Sequence, residues 1–251
     1  MNFQKTISQE NTIGIATYKT IVIENKDSQL DKMMLEMSPN SNKIISEFSF
    51  TLKFDNKKAV FAFDNKLYSD EQAVKFGLLK IKYTSETLQT QDSTFKKFAF
   101  GDKNNVIGDT KNKEWTITAE SKKINGYLCY KAEQNDIIIN SVGTFKHQIT
   151  AWFCPEIPYS FGPLKFGGLP GLILELQTKD GVFGLEKLIF EKNTTIDVES
   201  FKQNQIISNQ EMSKIIKEQH DLSLSLSLFI SLSINLSLYL YMLIDRNQRQ
   251  F

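Results

Sequence analysis

Cysteine, histidine and tryptophan each occur only twice in this chain of 251 residues, and proline only five times. Each scarcity excludes something. A structural zinc site takes about four soft ligands at short paired spacings, and Cys129, His147 and Cys154 are too scattered to supply one. Basic and acidic residues number 30 and 29, a net charge of +1. That balance leaves no electrostatic footprint for nucleic acid or for an acidic membrane surface. No Gly-rich stretch ends in the Lys-Ser/Thr of a P-loop. Ser160-Phe161-Gly162 is not the strained Gly-x-Ser-x-Gly elbow of a hydrolase. Glu114, Glu120, Glu156, Glu175 and Glu186 are scattered, and no spacing pairs two of them as acid and base. His147 and Cys154 stand more than ~20 Å apart along an extended segment, at ~3.3 Å per residue, which rules out a dyad within one strand. The residues thus assemble no catalytic set, no metal site and no cofactor site. Met1–Asn11 is polar and lacks the apolar core of a signal peptide.

What is present is phenylalanine, 19 residues of it, within a 41% hydrophobic composition. Many of these rings alternate with polar residues, which is the strand period. Ile44–Phe54 reads as a strand with Phe48, Phe50, Leu52 and Phe54 on one face. Asp55–Lys58 turns it back into Ala59–Phe63. Thr12–Glu24, Phe95–Phe100, Glu114–Ala119, Gly126–Lys131, Ile137–Ile139 and Phe145–Phe153 read as further strands. The clusters Gly101–Asn105, Ser121–Lys123 and Gln134–Asp136 read as the turns between them. Ser69 with Gln72 resembles a capping box before a short helix through Ala73, Phe76 and Leu79, which Gly77 weakens. Met33, Met34 and Met37 form an apolar patch, a strand or a turn of helix, suited to core packing.

Four of the five prolines fall between Pro155 and Pro170, interleaved with Gly162, Gly167, Gly168 and Gly171. Leu169-Pro170-Gly171-Leu172 fits a type II turn, with positive φ expected at Gly171. Leu172–Gln177 and Val182–Phe190 then make a hairpin around Thr178–Gly181. The aromatic, proline-stiffened loop offers a binding surface of Trp152, Tyr159, Phe161 and Phe166, with Glu156 as its polar member. The competing reading is that these rings only roof the sheet.

The segment Glu114–Gly184 resembles the GLPGLI family. The resemblance rests on Trp115-Thr116-Ile117, Ile124-Asn125-Gly126-Tyr127-Leu128-Cys129 with Lys131-Ala132, Ala151-Trp152-Phe153, Glu156-Ile157-Pro158 and Gly162-Pro163. It closes on Gly168-Leu169-Pro170-Gly171-Leu172-Ile173. It implies a bacterial envelope or periplasmic protein of unknown molecular function, and it brings no catalytic residues with it. Cys129 and Cys154 lie on strands that pair as a hairpin around Ser141–Thr144. The pairing permits a disulfide, and two buried free thiols are the alternative.

The expected fold is mainly β, an antiparallel and strongly curved sheet or half-barrel with a short C-terminal helix. Residues 1–11 form a polar lead, 12–207 the β domain and 208–220 a helix opened by a capping box at Ser208 and Glu211. Residues 221–251 form a Leu/Ser-rich tail. Leu222–Ile244 carries no charge and is long enough to cross a bilayer. Six serines, Asn235 and a strict Leu-Ser alternation favour a low-complexity extension instead. The leading functional expectation is a non-enzymatic envelope protein. It binds an apolar ligand such as lipid, or an envelope partner, on a sheet face, with no nucleic acid. A structural or assembly role without ligand comes second, and an enzyme third.

Overall fold

The computed structural model describes residues 12–24, 29–100, 103–110, 114–140, 143–202 and 205–208, and beyond them Glu211, Lys214, Lys217 and Glu218. The chain divides into two compact units, Met1–Ile206 and Ile207–Phe251.

The first unit is built on one antiparallel sheet. Its strands are β1 (Thr12–Val22), β2 (Ser49–Phe54), β3 (Lys58–Phe63), β4 (Thr87–Thr90), β5 (Ser93–Phe100), β6 (Lys103–Thr110), β7 (Thr116–Ile124), β8 (Tyr127–Asn140), β9 (Gly143–Cys154), β10 (Leu172–Gln177) and β11 (Gly181–Lys192). A twelfth strand, β12 (Gln205–Ser208), stands at one end of the order. The order is β12-β6-β5-β4-β3-β2-β1-β11-β10-β9-β8-β7. Two meanders, β2–β6 and β7–β11, therefore meet on the central β1. The sheet has two ends and does not close into a barrel.

The short helices are α1 (Gln29–Met37), α2 (Ser41–Ile45), α3 (Glu71–Lys80) and α4 (Glu199–Lys202). The row Phe48, Phe50, Leu52 and Phe54 is fully buried by the protein's own side chains. Phe50 lies parallel to Phe61, with ring centroids 5.3 Å apart, and meets Phe183 and Tyr83 edge-on. Phe48 packs beneath α2 and α3. A Cβ on Gly77 of α3 would lie 2.8 Å from the Phe48 ring and 2.9 Å from Ile45. Gly77 is thus the point at which α3 comes down onto the sheet, and it does not break the helix. The expected open apolar face is closed, and a carrier that held lipid on this row has no room for it.

Several boundaries differ from the sequence reading. Ile44 and Ile45 belong to α2, and β2 starts only at Ser49. The cap of α3 is Asp70, whose carboxylate accepts from Ala73 N–H at 2.8 Å, one residue after the expected Ser69. The methionine patch is helical, with Met34 buried while Met33 and Met37 face out. Lys103–Asn105 opens β6, and Ser121–Lys123 and Gln134–Asp136 lie inside β7 and β8. The turn between β7 and β8 is Asn125-Gly126, with φ of 49° and 87°. Two successive positive φ values match the twist of a two-residue hairpin.

A second, smaller apolar cluster covers part of the opposite sheet face, where Ile13 and Val60 meet Ile196 and Val198. In the second unit, Ser208 and Glu211 make both halves of the expected capping box. Glu211 N–H donates to Ser208 Oγ (3.2 Å), and Ser208 N–H donates to Glu211 Oε2 (2.7 Å). Leu222–Ile244, expected as either an anchor or an extension, lies outside the described residues. Among the described residues no helix is long and apolar enough to cross a membrane.

Candidate functional site

The proline-rich stretch Pro155–Gly171 runs from the end of β9 to the start of β10, and its backbone is tied at close intervals. Leu172 N–H donates to Ile157 O (2.9 Å), Ile173 N–H to Phe161 O (3.0 Å) and Gly168 N–H to Ser160 O (2.9 Å). Three side chains distant in sequence complete the ties. The Tyr18 hydroxyl donates to Ile173 O (2.7 Å), Trp115 Nε1–H to Gly167 O (2.9 Å), and the Gln89 amide to both Gly162 O (2.7 Å) and Leu164 O (2.8 Å). Gln89 sits on β4 and Trp115 just ahead of β7. Strands far apart in the order thus reach one loop, which requires the sheet to curve strongly around it.

The motif turn is not type II. Gly171 N–H donates to Leu169 O at 2.8 Å, a three-residue turn centred on Pro170. The positive φ belongs to Gly168, at 86°, and not to Gly171. Gly171 is required for a different reason: a Cβ there would lie 2.1 Å from the carbonyl oxygen of Cys154. At Gly162 a Cβ would lie 2.7 Å from that of Ile173. Pro163, Leu169, Leu172 and Ile173 are buried around these contacts. The GLPGLI block is therefore a packing device, held where backbone meets backbone.

The five residues offered as a binding surface are not brought together. Phe161 and Phe166 are buried in the core. Tyr159 packs edge-on against Phe54, with centroids 4.7 Å apart, and Glu156 is exposed. Trp152 points to the other face of β9, because Ala151 and Phe153 on either side of it are the buried members of that strand. For Tyr159, Phe161 and Phe166, the roofing role is the one the packing supports.

Trp152 instead centres a polar groove. Cross-strand rungs place Lys131, Trp152 and Glu175 in one row and Glu133, Thr150 and Gln177 in the next. The tip of the β7–β8 hairpin folds back over this face, where Asn125 Nδ2 donates to Leu185 O at 2.9 Å. That fold-back sets the Lys122 ammonium 4.4 Å from the centre of the Trp152 ring and 2.8 Å from Glu175. Lys131 bridges Glu120 and Glu133, each at 2.8 Å. Hydrogen bonds that the ammonium donates to those two carboxylates hold it above the ordinary lysine value. Lys122, Lys131, Glu133, Thr150, Trp152 and Gln177, with Ile23, Gln148 and Thr178, line an open cavity of about 430 Å³. Apart from Trp152, its members are hidden in the sequence because Gln134–Asp136 has the composition of a turn, although β8 runs through it. The alternation Lys131-x-Glu133 against Thr150-x-Trp152 was the signal to follow.

Next to this face, Cys129 and Cys154 are two free, fully buried thiols. Burial pushes the Cys129 thiol up to about 12 and raises that of Cys154 as well. Among the described residues no cluster of three His, Cys, Asp or Glu side chains is arranged to hold a metal.

Comparison with known proteins gives little more. A family described as "Protein of unknown function (Porph_ging)" matches residues 139–175, a segment that contains the GLPGLI block. No curated protein matches the chain. A solved structure described as "Structure of PNGF-II in P21 space group" superposes with a TM-score of 0.46 at 16% identity. It covers 79% of this chain and 32% of that one. This chain thus spans about a third of that protein's length, and at that score the likeness carries no argument about function.

Proposed function

We propose that this chain is a non-enzymatic protein of the bacterial envelope that binds a partner through the outer face of β8–β10, around Trp152. The observation that carries the reading is the groove itself. A half-buried indole is framed by cross-strand rungs of Lys, Glu, Gln and Thr, in a cavity that stays open beside the folded-back β7–β8 hairpin. Aromatic rings ringed by hydrogen-bonding groups are the usual anchors of a recognition surface. Lys122 and Lys131 are each already matched by carboxylates, so a simple anion meets no unpaired cation here. The occupant this favours is neutral and polar, exchanging hydrogen bonds with Gln148, Thr150 and Gln177. The same ion pairs engage Glu120, Glu133 and Glu175, which speaks for binding rather than acid–base chemistry. The envelope assignment is supported by the resemblance of residues 114–184 to a family of envelope proteins.

A photo-crosslinking residue placed at Gln148 in the full chain tests this in cells. The expected result is one discrete adduct that disappears when Trp152→Ala is added. No adduct, or one indifferent to Trp152, overturns the reading.

A further inference from the structure

The register of β8 and β9 has a consequence independent of the groove. Tyr130 pairs with Phe153, and Lys131 with Trp152. Continued by one residue, the same register sets Cys129 opposite Cys154, two rungs from Trp152. Directly opposed residues of antiparallel strands have Cα atoms about 4.5 or 5.5 Å apart. A disulfide accepts about 4.4–6.8 Å. Cys154 is also the residue on which the motif loop closes: its carbonyl accepts from Ile157 N–H at 3.1 Å and is the atom a Gly171 Cβ would strike.

We propose that Cys129 and Cys154 are a cross-strand redox pair, oxidised to a disulfide while the chain folds and locked in whichever state folding leaves them. In the oxidation, one thiolate attacks a small disulfide donor R–S–S–R and expels R–S⁻. The second thiolate then displaces the other R–S⁻ from the mixed disulfide. The two thiol protons end on two molecules of R–SH, and two electrons pass from the protein to the donor. The timing follows from burial. Neither sulfur is accessible once β7–β9 have closed over them, and the nucleophile in exchange is the thiolate, which burial suppresses. Formed, the bond would fix β8 to the root of the GLPGLI loop.

The test uses the full chain. One sample is refolded from denaturant in a mixture of oxidised and reduced glutathione. A second is folded under reductant and then given the same mixture for the same time. Intact mass and alkylation should show two hydrogens lost and no free thiol in the first, and two alkylatable thiols in the second. The oxidised protein should also melt at the higher temperature. Two free thiols after oxidative refolding, or a disulfide form that melts lower than the dithiol, overturns the proposal. Equal oxidation of the pre-folded sample overturns its timing. Should Cys154→Ser fail to fold as the control, Cys154→Thr keeps a hydroxyl at this site. Either control carries a single thiol, so its melting temperature should be the same after oxidising and reducing refolding, and a difference as large as the wild type's overturns the assignment to this pair.

Discussion

Two regions of the same core are held by opposite means. Beneath α2 and α3, Phe48, Phe50, Phe61, Phe63 and Phe183 interlock at centroid distances of about 5–6 Å, mostly edge-on. Across the sheet, the loop Pro155–Gly171 is held by backbone hydrogen bonds and by glycines placed where a Cβ has no space. A ring cluster is bound by non-directional burial and can repack around a similar volume. The loop is fixed by directional contacts to backbone atoms, which cannot move aside. The first region should therefore be sensitive to polarity and tolerant of shape, and the second the reverse.

The largest effect is expected where polarity is violated. Phe50→Glu buries a carboxylate among rings and should cost more than ~4 kcal/mol, leaving no folded protein by circular dichroism. A folded variant that retained the wild-type urea midpoint would show that the row is not core. Next comes Gly171→Val, which forces the Cys154 carbonyl to move and should cost about 3 kcal/mol in urea unfolding. Gly171→Ala should already be severe, and a mild alanine variant would break the comparison at its centre.

A third test uses pH. Burial raises Tyr83 from 10.0 to about 12. The folded state therefore keeps this proton while the unfolded chain releases it. Tyr83's own contribution to stability is whole below pH 10 and is lost as the pH rises toward 12, by about 2–3 kcal/mol at 1.36 kcal/mol per unit. Tyr83→Phe should flatten that alkaline slope, although it also orphans the Phe63 N–H that donates to the hydroxyl (2.9 Å). Gln89→Leu comes next. It leaves the carbonyls of Gly162 and Leu164 unpaired, at a cost of about 2 kcal/mol. The smallest effect belongs to the ring cluster again: Phe50→Leu should cost only about 1 kcal/mol, being apolar and not far from its volume. If Phe50→Leu proved worse than Gln89→Leu in paired denaturation curves, the contrast between the two regions would fail.

Much of the β architecture was legible because its signal is local. Alternation in Phe50-x-Leu52-x-Phe54 and in Leu172–Gln177, and the turn at Asp55, mark strands from the chain alone. The Asp55 carboxylate does accept from Lys57 and Lys58 N–H, at 2.7 and 2.9 Å. Polar clusters misled where strands continue through them. Gln134–Asp136 resembles a turn by composition, yet each residue finds its rung on β9. Asn125-Gly126 was the better turn signal, since a two-residue hairpin demands positive φ at both positions.

The sequence by itself determined the sheet-rich class, the phenylalanine row, the GLPGLI block and the capping box at Ser208, because each is written in neighbouring residues. Tertiary structure alone decided what those features serve. The phenylalanine row is closed by helices only because Gly77 lets α3 approach Phe48. Gly171 is indispensable because of a carbonyl 17 residues earlier in sequence, Cys154, and not because of its own φ. Trp152 parts from Phe161 and Phe166 because consecutive strand residues face opposite ways. The groove exists because the β7–β8 hairpin folds back across β9 and β10 to Leu185. Contacts of that kind join residues whose separation along the chain carries no local pattern, so only the folded chain brings them into view.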